Sequence, residues 1–253
     1  MKITFLAHSG FLVEWERFYS LFDFWHGELP PLDPKKPLLV FASHSHNDHF
    51  DPRIFTLPAQ YPTTRYFLSH DISLAARKRA ALGVTDDILA RVTQLRANVF
   101  TETEVAGEEL SLRTFHSTDE GVAFLLTAEG RMVYHAGDNN CWYWEDEGKA
   151  YCHNMAANYR RSIAALAAAV RDEAEDRGVA PVLDVAMAPL DPRLESTYAM
   201  GVEQLLRTVA VKKLFPMHLW GKFEWIGRYR AEHPQQAEQI VPVTRDGESF
   251  EIE

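Results

Sequence analysis

Cysteine is nearly absent from this chain: Cys141 and Cys152 are the only two in 253 residues. Two thiols are no disulfide framework for a fold of this size, so a small secreted scaffold held by cross-links is excluded. Long apolar runs are missing as well. A bilayer-spanning helix needs roughly 20 consecutive apolar residues, and every candidate here is interrupted by charge or proline. The opening Met1-Lys2-Ile3-Thr4-Phe5-Leu6 has neither the apolar core nor the small-residue cleavage site of an export signal. The expectation is a cytoplasmic protein with no membrane partner. Basic charge is in deficit, with 26 Lys and Arg against 36 Asp and Glu and a formal charge of -10. Such a surface repels phosphate backbones, which argues against a nucleic-acid partner while leaving room for a basic patch inside one cleft. Repeats and low-complexity linkers are lacking too. The length suits one large layered domain over residues 1–253, with a homo-oligomer left open.

What is present is a succession of β-rich runs and a few helical segments. Strands are expected at 3–6 and 11–15 around a turn at 7–10, and again at 18–24. Residues 38–42 form an apolar run of the kind buried on both faces of a sheet. A helix is expected over 71–80, short strands over 92–104, and a meander at 110–115, 122–128 and 131–135 with Glu129-Gly130 as its last turn. The alanine-rich segment 154–178 predicts the longest helix, closed by Gly178. Strands at 182–187 and 214–217, helices at 201–210 and 223–232, and a closing strand pair over 240–252 turned at Asp246-Gly247 complete the pattern. Strands followed by helices in both halves point to an α/β sandwich.

The chemistry concentrates where the buried run 38–42 ends. His44, His46, Asp48 and His49 bring three imidazoles and a carboxylate within six residues. Loops at strand ends carry chemistry because rigid strands hold them while their tips stay open. Imidazole and carboxylate without thiolate suit zinc, manganese or iron in an open site, and argue against a closed zinc finger.

The spacing His44-X-His46-X-Asp48-His49 resembles the signature of the metallo-β-lactamase superfamily, with Gly137-Asp138 and Pro216-Met217-His218 following in that family's order. The phrases Leu6-Ala7-His8-Ser9-Gly10-Phe11 and Tyr134-His135-Ala136-Gly137-Asp138 resemble the branch that includes ascorbate phosphate lactonase. The resemblance implies a four-layer αββα sandwich and two divalent metal ions, zinc first, with manganese or iron as alternatives. By that resemblance His44, His46 and His116 hold the first ion, Asp48, His49 and His218 the second, and Asp138 bridges them. Asp119 is the alternative to His116. Asp23 matches the superfamily's early aspartate.

The implied activity is hydrolysis of an ester, lactone, amide or phosphoester of a small molecule by water activated on the metal. Asp48 or Asp138 would accept a proton, and His8 and His135 would touch substrate or orient a ligand. Trp142 and Trp144 would wall the pocket, and Arg193 would take an anionic substrate group through its planar fork. A di-iron oxidoreductase served by a separate electron donor, or a metal-dependent nuclease, are the alternatives the same scaffold implies.

Overall fold

The computed structural model describes residues 1–253 as two mixed sheets packed face to face. The first half of the chain supplies β1 (Lys2–Ala7), β2 (Gly10–Glu14), β3 (Tyr19–Phe22), β4 (Leu38–Ala42), β5 (Arg65–Ser69) and β6 (Val92–Leu95). A 3-10 segment, Pro52–Ala59, and two short helices, α1 (Ala76–Ala81) and α2 (Asp86–Leu89), lie among them. There follow β7 (Phe100–Val105), β8 (Glu108–His116), β9 (Val122–Ala128) and β10 (Arg131–His135). The chain finishes with α3 (Lys149–Arg177), β11 (Val182–Pro189), α4 (Met200–Thr208), β12 (Ala210–Met217), α5 (Glu224–Glu232) and β13 (Glu248–Glu251). The sheets run β13-β1-β2-β3-β4-β5-β6 and β12-β11-β10-β9-β8-β7.

Strand alternation sorts the apolar residues into layers. Phe11, Phe22, Phe41 and Phe67 point from the first sheet into the core between the sheets, where Phe41 meets Phe124 at 5.5 Å and Phe11 meets Phe215 at 6.0 Å between ring centroids. The alternate residues Leu12, Leu21, Val40 and Leu68 face outward and are covered by Ile54 and Phe55 of the 3-10 segment. On the far side α3 and α4 cover the second sheet. Tyr159, Ile163, Leu166 and Val170 recur at helical spacing and make the buried stripe of α3, and Gly178 ends it at φ 65°. The result is the αββα sandwich that the sequence pattern and the resemblance led one to expect.

Two local expectations fail. The helix over 71–80 shrinks to the exposed six-residue α1, which starts at Ala76 without a side-chain cap, and the carboxylate of Asp71 instead accepts the Ser45 backbone N–H at 2.8 Å. The closing strand pair over 240–252 does not form. Gly247 donates to the carbonyls of Phe5 and Leu6, and β13 pairs antiparallel with β1, covering an edge of the first sheet that would otherwise stand open.

Candidate metal centre

Four strand ends bring the chemistry to one edge of the sandwich: β1 leads into His8, β4 into His44–His49, β10 into Asp138, and β12 into His218. Glycine makes the approach close enough. A Cβ on Gly137, at φ 52°, would lie 2.7 Å from the Cβ of Ser43, so only glycine lets the loop bearing Asp138 settle against the histidine turn. Strain gathers in the same place. His8, Asp23, His218 and Trp220 all have positive φ, between 43° and 62°, a conformation that side chains other than glycine adopt at a cost.

Asp138 stands at the middle. Its Oδ2 lies 3.4 Å from His44 Nε2, while its Oδ1 lies 3.0 Å from His49 Nε2 and 2.8 Å from His218 Nε2. Two groups of donor atoms result, each within 4.8 Å: His44, His46 and Asp138 in one, and His8, Asp48, His49 and His218 in the other. Asp138 thus turns one oxygen to each group. His46 Nδ1 is 3.1 Å from His44 Nε2, and its outer Nε2 faces Glu120 at 3.5 Å.

Buried carboxylates set the direction of the imidazoles. Asp23, with no solvent exposure, accepts from His49 Nδ1 at 2.7 Å and from the backbone and hydroxyl of Ser43 at 2.7 and 2.6 Å. The Ser43 hydroxyl in turn lies 3.0 Å from His44 Nδ1. Asp191, equally buried, accepts from His218 Nδ1 at 3.3 Å. In each ring the Nδ1–H is held from outside, which leaves Nε2 as the inward-facing atom, the arrangement that orients metal-binding imidazoles.

The donor set fits divalent cations. His49 Nε2 and His218 Nε2 face each other at 2.8 Å, and the buried Asp138 Oδ1 beside them has no hydrogen-bond partner. Such a focus of lone pairs and carboxylate charge calls for positive charge at its centre. The proton affinities report the same demand. Burial alone would depress His49, but Asp138 and Asp23 outweigh it and push the imidazole up to about 10. Burial alone would raise Asp138, yet His218 and His49 hold its carboxyl well below the usual range. Asp48 is held low in the same way, against burial, by the neighbouring imidazoles, His8 first at 3.4 Å.

Other expected residues fall in different places. His8, whose ordinary value is lowered by burial to about 4, is 3.4 Å from Asp48 and belongs with the ligand group rather than apart from it. His116 is not brought to the centre: it is exposed at the end of β8 and its Nδ1 is turned to the Ser117 carbonyl. Asp119 is nearer, and burial together with the charge of Asp138 raises its carboxyl. His135 is fully buried, donating from Nε2 to the Ser9 carbonyl at 3.0 Å and accepting the Gly137 N–H at Nδ1. With both nitrogens occupied and its ring stacked on Phe22, it supports the loop and has no face toward a substrate. Trp142, Trp144 and Arg193 do meet, lining with Asp138 and Asp119 a cavity of 240 Å³.

Sequence reasoning left out Asp191. Its signal was legible in Pro189-Leu190-Asp191-Pro192-Arg193, an aspartate before proline at the end of a buried strand, which marks a cap. The capping is real, since Asp191 accepts the Arg193 N–H at 2.9 Å, but the link to His218 is tertiary.

Residues 2–153 match the model of the beta-lactamase superfamily domain. A UPF0173 metal-dependent hydrolase of Opitutus terrae is 31% identical over 147 residues, covering 54% of this chain and 63% of its own length. One of Korarchaeum cryptofilum is 27% identical over 155 residues, covering 56% and 62%. The match therefore spans less than two thirds of either relative. Among solved structures, Igni18, a metallo hydrolase of Ignicoccus hospitalis, superposes over 100% of this chain and 99% of its own with a TM-score of 0.56 at 19% identity, a likeness of fold. No helix of the protein is long and apolar enough to cross a membrane.

Proposed function

The chain belongs to the beta-lactamase superfamily, and from that premise we propose that it is a metal-dependent hydrolase of a small molecule. The observation that carries the reading is Asp138, one carboxylate with an oxygen toward each of two imidazole clusters. His44, His46 and Asp138 would hold one divalent ion, and His8, Asp48, His49 and His218, sharing Asp138, the other. Zinc suits this mixed set first, with manganese and iron as alternatives. Ions held there would polarise an ester, lactone, amide or phosphoester and bring water to nucleophilic strength near neutral pH.

The chain's own groups do the positioning. Asp23 and Asp191 aim His49 and His218, and the Trp142 indole N–H donates to the Asp138 backbone carbonyl at 2.8 Å, fixing the main chain from which the carboxylate projects. Asp48 and Asp138, the carboxylates that face the donor groups, are the candidates to take a proton as the reaction proceeds. The substrate's reacting group occupies the cavity beside Asp138, with Trp142 and Trp144 as walls and Arg193 suited to an anionic end. The resemblance to the branch of ascorbate phosphate lactonase puts lactones and phosphoesters first among substrates. Metal analysis of the purified protein together with a panel of lactones, esters and phosphodiesters tests the reading. A bound divalent ion and metal-dependent turnover of one class are expected; hydrolysis that survives exhaustive chelation, or iron-loaded protein inert to the whole panel, would overturn it.

A further inference from the structure

We propose that Asp191, Arg193, Trp144 and Trp220 form a built anion-binding subsite, taking a carboxylate or phosphate group of the substrate, and that Asp191 ties this subsite to His218. The inference rests on the hydrolase reading above and gives its substrate a chemical class.

Asp191 follows β11 and is fully buried, yet five donors meet its two oxygens. Arg193 contributes three: its backbone N–H at 2.9 Å, its Nε at 3.0 Å from both oxygens, and its Nη2 at 2.5 Å from Oδ2. His218 Nδ1 and Trp220 Nε1 each reach Oδ2 at 3.3 Å. The fork of Arg193 is thereby fixed on one edge, and its Cζ lies over two indoles, 4.4 Å from the centre of the Trp220 ring and 5.9 Å from that of Trp144. Nη1 makes no hydrogen bond within the protein, and the side chain stays 45% exposed. A guanidinium immobilised before its ligand arrives loses little freedom on binding, which is what distinguishes a built site from a surface arginine.

The competing reading is that Arg193 merely neutralises Asp191. Two observations weigh against it. Asp191 already receives the imidazole and the indole donors, so its burial does not depend on arginine alone. Arg193 is also the one cation lining the cavity that holds Asp138 and Asp119, where an anionic substrate would otherwise meet only like charge. Oδ2 of Asp191 serves Arg193 and His218 at once, so the position of the anion anchor and the aim of the metal-facing imidazole depend on one atom.

The test compares parent, Arg193→Gln and Asp191→Asn proteins with three probes: Zn²⁺ by chelator competition, and inorganic phosphate and acetate by calorimetry on zinc-loaded protein. Losing a charge-assisted hydrogen bond should weaken anion binding about tenfold or more in Arg193→Gln. Its zinc affinity should stay that of the parent. Asp191→Asn should lose roughly 10- to 100-fold in zinc affinity, as removal of an imidazole's outer partner does, and weaken anion binding as well. The anion that suffers more, phosphate or acetate, identifies the substrate's group. Parent-like binding of both anions by Arg193→Gln overturns the subsite, and parent-like zinc affinity in Asp191→Asn overturns the tie. Should Asp191→Asn fail to fold, Asp191→Glu keeps the charge but displaces the shared oxygen and should weaken zinc affinity by about tenfold, parent-like affinity overturning the tie. Trp220→Leu removes the nearer aromatic face and should weaken anion binding by about threefold, unchanged binding overturning the subsite. None of these readouts needs turnover, so a protein that behaves this way and hydrolyses nothing refutes the hydrolase reading alone.

Discussion

His49 and His218 stand 169 residues apart in the chain, and their Nε2 atoms face each other at 2.8 Å with Asp138 Oδ1 within 3.0 Å of both. Each ring is held from behind by its own buried aspartate, Asp23 or Asp191. If this focus is where cations bind, Asp138→Ala removes a donor from both clusters. It is expected to lose at least one equivalent of bound zinc on metal analysis and to drop hydrolysis by about 100-fold or more. Full zinc content in that variant would contradict a bridging carboxylate.

Asp23 aims His49 directly and His44 through the Ser43 hydroxyl. Asp23→Asn should therefore weaken zinc binding by roughly 10- to 100-fold while every first-contact ligand remains in place. Chelator competition reads this, and a parent-like dissociation constant would mean that the two rings are aimed by packing alone.

His116 lies exposed outside both donor groups. His116→Ala is expected to keep the parent's metal content and affinity, whereas His46→Ala should lose metal. A deficit in His116→Ala equal to that in His46→Ala would return His116 to the ligand set.

Gly137 occupies a left-handed conformation against Ser43. Alanine there costs about 1–3 kcal/mol in backbone strain and must also displace the Ser43 side chain. Gly137→Ala should lower the urea midpoint and weaken zinc affinity together, because the loop it displaces carries Asp138. A loss of stability with intact zinc affinity would separate the turn from the site.

Far from the centre, Glu173 on α3 is buried and accepts from Arg113 Nε at 2.7 Å and Ser111 Oγ at 2.8 Å. Burial would raise its carboxyl, but the Arg113 and Ser111 donors outweigh it and hold it below the ordinary 4.5. A depressed acid contributes stability that is fully present above its unfolded value and lost as pH falls through its folded value. Glu173→Gln should thus cost about 1.5–3 kcal/mol near pH 7, with the gap to the parent closing as pH falls below the ordinary 4.5 and through the lower folded value. Paired urea titrations at pH 7 and at steps downward from pH 4.5 measure it, and a gap independent of pH would contradict the charge-assisted pairing.

Local sequence determined much of this protein. The runs that became β4, β9 and β10 were readable to the residue, because burial and β-branching are properties of neighbours in the chain. So was the turn His44–His49, whose density of ligands needs no partner to be noticed. The rest was decided by tertiary structure. Stacking one sheet on the other brought His218 and Asp138 to the His8 and His44–His49 ends, left His116 outside both donor groups and buried His135 against Phe22. Strand pairing within each sheet, β3 with β4 and β11 with β12, set Asp23 behind His49 and Asp191 behind His218. Periodicity reports which face of a strand is apolar, but which strand ends converge follows from twist, register and the filling of the core between Phe41 and Phe124, and these exist only in three dimensions.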